Sequence, residues 1–137
     1  MMKKTFIYKI TLYNRYTDKS SGKSVILWKK RVLENCYFSV KNIKKLNSGS
    51  LSDHDSYIVR IPESDDYTKS YNGEDGKFTL NPGDIIVLGE VADEMMDEAG
   101  KRPSDILKRY EGSAFTIGAV FFNTLLKNAR HYRVSGV

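Results

Sequence analysis

The chain has one cysteine, Cys36, so no internal disulfide can form and no multi-cysteine metal site exists. It has two histidines, His54 and His131, far apart and with unlike neighbours. No long hydrophobic run occurs. Met1 to Tyr8 carries Lys3 and Lys4 but only a short apolar stretch before Lys9, which fits neither a signal peptide nor a membrane span. Synthesis and folding in a reducing cytoplasm are expected. Also missing are a glycine-rich phosphate loop, a G-x-S-x-G elbow, H-E-x-x-H and any Cys-His arrangement. Gly73-Glu74-Asp75-Gly76 lacks a following helix and a Lys-Ser/Thr pair, so it reads as a turn. No nucleophile stands beside a base. The expectation is a protein without catalytic activity, cofactor or metal.

What is present is aromatic and charged. Nine Tyr and six Phe favour strands, and 40% apolar with 28% charged residues describes an ordinary globular chain. At 137 residues it reads as one domain, 1–137. The net charge of +5 is unevenly distributed. Residues 1–47 hold 12 Lys/Arg against Asp18 and Glu34, a balance of +10. Residues 48–98 hold 13 acids against Arg60, Lys69 and Lys77, a balance of −10. Residues 99–137 return to +5.

Three readings of that pattern stand side by side. In one, folding interleaves the segments into a mixed surface. Alternatively, Lys29, Lys30, Arg31, Lys44 and Lys45 form one face and Asp93, Glu94, Asp97 and Glu98 another, attracting in a head-to-tail contact that closes a ring. The basic first segment also allows nucleic-acid binding. A platform of Tyr8, Tyr13, Tyr16 and Trp28 beside Lys9, Arg15, Lys29 and Lys30 would bind single strands, although those aromatics alternate as core residues should.

Along the chain, Thr5 to Asn14 alternates, with Phe6, Tyr8, Ile10 and Leu12 on one face. Arg15 to Lys23 reads as a hairpin loop, Val25 to Val32 as a strand, and Cys36 to Val40 as a third, with Cys36 a small buried residue. Lys41 to Ser52 is polar, with a turn at Asn47-Ser48-Gly49-Ser50. Tyr57 to Ile61 is a strand stopped by Pro62. Glu63 to Lys77 shows no apolar period and is expected as a long surface loop, functional or mobile. Asn81-Pro82-Gly83-Asp84 is a turn feeding Ile85 to Gly89. A helical turn is predicted over Ala92–Glu98, and a short helix from Pro103, with Asp105 pairing Arg109 and Gly112 ending it. Ala114–Asn123 is a strand, Thr124–Asn128 turns it back, and Ala129–Val137 closes a hairpin. The fold expected is mainly β: a small barrel or rolled antiparallel sheet of six or seven strands, with one or two short helices near 93–111.

Two polar clusters were weighed as metal sites. Ser52-Asp53-His54-Asp55 has no second His or Cys nearby and reads as a solvated loop. The series Glu90, Asp93, Glu94, Asp97, Glu98 is interrupted by Met95 and Met96, and its spacing is wrong for a calcium loop. An acidic face for Lys/Arg partners is the preferred reading.

The second half carries an ordered set of segments. These are Tyr57-Ile58-Val59-Arg60-Ile61-Pro62, a polar loop, Pro82-Gly83-Asp84-Ile85-Ile86-Val87-Leu88-Gly89-Glu90, then Gly100-Lys101 with a short helix. Phe115-Thr116-Ile117 and His131-Tyr132-Arg133-Val134-Ser135-Gly136 follow. The set resembles a family of prophage and tailed-phage proteins of Gram-positive hosts, whose genes typically lie between capsid and tail genes. More distantly it resembles head–tail joining proteins, the head-completion or stopper proteins. The likeness covers residues 57–137, and the helical insertion at Asp93–Glu111 departs from simple stoppers.

That resemblance implies a β-barrel in a hexameric ring of identical copies in the virion neck, assembled in the host cytoplasm. Portal and adaptor proteins would lie above it, tail terminator or tail tube proteins below, and packaged DNA in its channel; no membrane is involved. A tail terminator or collar role is the alternative. The loop of Glu63, Asp65, Asp66, Tyr67, Lys69, Tyr71, Glu74 and Asp75 would serve as the channel or interface element. Its acids would repel DNA while Tyr67 and Tyr71 anchor it against a neighbour.

Overall fold

Alternation starts the first strand, β1 (Tyr8–Asp18), and pairing carries it four residues further than alternation predicts. The computed structural model describes residues 7–20, 22–47, 50–124 and 130–137, and of 43–47 and 50–54 the backbone alone. Phe6, Ser48, Gly49 and the turn at 125–128 therefore lie outside the described residues, as do the side chains of Lys44, Lys45 and His54.

The second strand, β2 (Val25–Asn47), is 23 residues long and merges two predicted strands with the polar stretch after them. Asn14 to Asp18 pair with Lys29 to Val25, so the hairpin loop is shorter than Arg15–Lys23. A bulge joins the predicted pieces of β2: Tyr8 faces Cys36 while Ile10 faces Leu33, setting Glu34 and Asn35 against Lys9 alone. Asn35 takes a φ of 59°, a left-handed conformation that Asn tolerates better than most residues. Such a bulge bends its strand. Beyond it β2 leaves β1 and pairs from Tyr37 onward with β3 (Ser50–Pro62).

The remaining strands are β4 (Ile85–Leu88), β5 (Ala114–Asn123) and β6 (His131–Gly136). All neighbours are antiparallel, and the six close into a barrel in the order β1-β2-β3-β6-β5-β4. Closure leaves no barrel edge exposed. The single helix among the described residues, α1 (Pro103–Arg109), starts with Pro at its first turn, where the missing N–H costs nothing. Asp105 does not pair with Arg109. Its carboxylate accepts instead from the backbone N–H of Gly100 (3.0 Å) and Arg102 (3.2 Å), closing the helix start. The helical turn predicted over Ala92–Glu98 is irregular chain.

Two apolar clusters explain the strand sequences. Inside the barrel lie Ile10, Leu12, Leu33, Cys36, Tyr57, Val59, Ile61, Ile86, Phe115, Ile117, Tyr132 and Val134, joined by Phe78 and Leu80 from the long loop. Outside, Tyr13, Ile85, Val87 and Ala114 pack against Met95 and Ile106. Ile85-Ile86-Val87 is a continuous apolar run because both of its faces are covered. Tyr57 and Phe115 stack at 4.8 Å in the interior. Gly136 permits the crossing above them, since a Cβ there would lie 2.2 Å from the Thr116 carbonyl oxygen.

Candidate functional site

A strand reading Lys29-Lys30-Arg31 places three cations on alternating faces, and the fold covers both faces with acid-bearing chain. On the barrel-mouth side, Lys29 pairs with Asp75 and donates to the Gly73 carbonyl at 3.0 Å. Arg31 pairs with Asp66 at 2.6 Å and lies over the Phe78 ring, 5.1 Å from its centre. On the opposite face, Lys30 pairs with Glu94 at 3.3 Å and donates to the Ala92 carbonyl. The segment 63–84 thus straps one face of β2 and the segment before α1 straps the other.

The acids expected to face a neighbouring subunit are therefore engaged within the chain. Asp93 pairs with Arg109 and accepts from the Tyr110 hydroxyl, which together hold its carboxyl below the usual range. Asp97 pairs with Arg102 and Glu98 with Lys101. Among the charges proposed as opposed ring faces, only Lys44 and Lys45 are left without a described contact, their side chains being outside the description. Among the described residues, cations of the first segment and acids of the second thus meet within the chain.

The predicted channel loop is likewise fastened down. Glu63 pairs with Arg130 at 3.3 Å, and the Ser64 N–H donates to the Tyr132 hydroxyl. Tyr67 packs among Phe78, Phe122 and Tyr132, with ring centres 4.9 to 5.9 Å apart. A backbone bridge joins Tyr67 to Phe78, and Phe78 and Leu80 enter the barrel core. Further along, Tyr71 meets Tyr16 edge-on at 6.1 Å, and burial pushes its hydroxyl up to about 12. Gly73 lies against the Tyr16 ring, where a Cβ would approach within 2.7 Å. Lys69 sits 6.0 Å from the centre of the Phe122 ring. Asp65 is exposed, while the Glu74 carboxylate accepts from the Asn72 N–H.

At the strap's end a buried polar latch holds it to β1. Asn14 reads Thr79 as a neighbouring strand would, donating to its carbonyl at 2.7 Å and accepting its N–H at 3.1 Å. Asp84 accepts from the Asn14 side chain (2.9 Å) and from the backbone N–H of Arg15 (3.0 Å) and Asn81 (3.1 Å). Burial raises its carboxyl above the ordinary value, against the lowering effect of those donors. The Gly-Asp pair of the sequence thus has a structural role.

The aromatic platform considered for single strands is not assembled. Tyr13 is buried and donates to the Asp93 carbonyl, Trp28 packs on the outer apolar cluster, and Tyr16 is covered by the strap. Tyr8 alone of the four is largely exposed, at 41%. Cys36 is a packing residue whose thiol burial pushes up to about 12. Among the described residues no three His, Cys, Asp or Glu side chains group as a metal site requires, and no helix is long and apolar enough to cross a membrane.

Two features escaped the sequence reading. The first is a ribbon: Lys41–Asn47 of β2 pairs with Ser50–Ser56 of β3 beyond the last partners of both, because β1 ends opposite Cys36 and β6 opposite Tyr57. It extends roughly 20 Å past the barrel. Both of its outer edges lack a strand partner among the described residues. The second is a row across four strands in which Phe121, Arg133, Arg60 and Tyr37 stand opposite one another in turn. Alternation around buried Val59 and Val134 does point both arginines outward, but only the register brings them together.

A family model described as "Family of unknown function (DUF6751)" matches residues 6–137. No curated protein and no solved structure matches the chain.

Proposed function

The chain belongs to the DUF6751 family, and we propose that it acts by assembly: a head–tail connector subunit of a tailed phage, the stopper or head-completion protein of the neck ring. The observation that carries this reading is the ribbon. A barrel filled with its own side chains leaves open backbone edges, among the described residues, on an arm that reaches away from it. Open strand edges recruit strands of other chains. In a ring of identical copies each arm would lie on the next barrel, a heterologous contact that closes by rotation. The resemblance of residues 57–137 to head–tail joining proteins supports the same role.

Subunit contact on this reading is made by arms, which carry Lys44 and Lys45, while the other charges assigned to ring faces are paired within the chain. Portal and adaptor proteins would sit above the ring and tail proteins below. The test is a nonsense codon in the gene of the phage that carries it, followed by electron microscopy of the lysate. Filled heads and separate tails are expected. Intact tailed particles made without the protein would reject the proposal.

A further inference from the structure

The chain has seven arginines, all within the described residues. Arg31, Arg102, Arg109 and Arg130 each pair with a carboxylate, and Arg15 donates to the Pro82 carbonyl at 3.4 Å. Arg60 and Arg133 have no oxygen partner among the described residues. They also stand directly opposite each other on β3 and β6. Like charges in that relation repel, and their Cβ atoms are only about 5 Å apart. The Nε of Arg133 is moreover buried with no hydrogen-bond partner. The other five arginines each meet an oxygen within the chain, and this pair does not.

Aromatic rings bracket the pair in the same row. The Arg60 guanidinium lies 4.9 Å from the centre of the Tyr37 ring, and that of Arg133 lies 5.7 Å from the Phe121 ring. Rings in this position fix the planar guanidinium groups while leaving their N–H edges able to receive an anion. Phe121 is 52% exposed, a large apolar surface at the end of the row. Exposed Lys41 lies further along the same face of β2.

We propose that this row binds single-stranded nucleic acid, with Arg60 and Arg133 on a phosphate and Phe121 stacked on a base. The two arginines would serve any phosphate or carboxylate. The exposed ring beside them selects for a strand whose base faces are free, because stacking needs a flat partner that a duplex conceals and a peptide carboxylate lacks. The site is complete in one chain and does not depend on ring assembly.

The test is fluorescence anisotropy of a labelled oligothymidine about a dozen nucleotides long, a length one small barrel can cover. The Arg60→Gln/Arg133→Gln protein should bind about tenfold or more weakly. Its plot of log affinity against log salt should be shallower by about 0.7, the contribution of the one phosphate that the pair neutralises on a single strand. Phe121→Ala should weaken binding roughly tenfold with the salt slope unchanged, and Lys108→Ala on α1 should do nothing. The double lysine variant should recover the slope but not the full affinity, which separates charge from folding defects. In the wild-type protein the Arg133 Nε–H resonance should shift on titration. Failure to bind, equal binding of duplex, displacement by polyglutamate at matched charge, or an equal loss in Lys108→Ala would each overturn the proposal.

Discussion

At the scale of single residues the latch at Asp84 shows how a short motif can be read correctly and still have a second role. Asn81-Pro82-Gly83-Asp84 is legible as a turn, and it is one, the Asp84 N–H donating to the Asn81 carbonyl at 3.1 Å. What sequence could not show is that its carboxylate is buried against Asn14, 70 positions away. Asp84→Asn would present an amide N–H to groups that are themselves donors, and should destabilise the fold by about 1–3 kcal/mol. Because burial raises the native carboxyl above its unfolded value, Asp84 contributes most below the ordinary range and less as pH rises through its raised value. The wild-type advantage over Asp84→Asn should therefore be larger at about pH 4 than at about pH 7. Urea unfolding of both proteins at the two pH values checks this; an advantage that grows toward neutrality would contradict it.

Elements were legible where one face meets the core and water wets the other. β5 has the predicted bounds, and α1 starts at the predicted proline. The failures have a common cause. The ribbon of 41–47 and 50–56 lies past the barrel, so no core imposes a period of two on it, and its polar composition reads as a turn. The straps are irregular chain held by individual side chains, and such contacts leave no periodic trace. The ribbon also contributes nothing to either apolar cluster among the described residues. Removing 43–54 and joining Asn42 to Asp55 through Asn-Gly, a two-residue hairpin turn, should leave a cooperative barrel. Its melting midpoint should move by no more than about 4 °C, the size of a change near 1 kcal/mol. A broad or much lower transition would make the ribbon part of the folding unit and remove its claim to a separate role.

For the whole molecule, the striped charge pattern is the most conspicuous feature of the sequence. Its segments are brought into register by the barrel: acids of the two straps lie over the cations of β2, with the intervening turns supplying the reach. Exposed ion pairs of this kind add little stability individually. They engage four of the seven arginines, and Arg15 meets a carbonyl, which is what makes Arg60 and Arg133 stand out. Among the described residues the same closure leaves open strand edges on the ribbon. Assembly through that ribbon is the central claim, and it is tested most directly by cryo-electron microscopy of the virion. The account predicts a ring of six-stranded barrels at the head–tail junction, each with its 41–56 ribbon laid on the neighbouring subunit. Particles in which the barrels are absent from that junction, or in which every ribbon points into solvent, would contradict it.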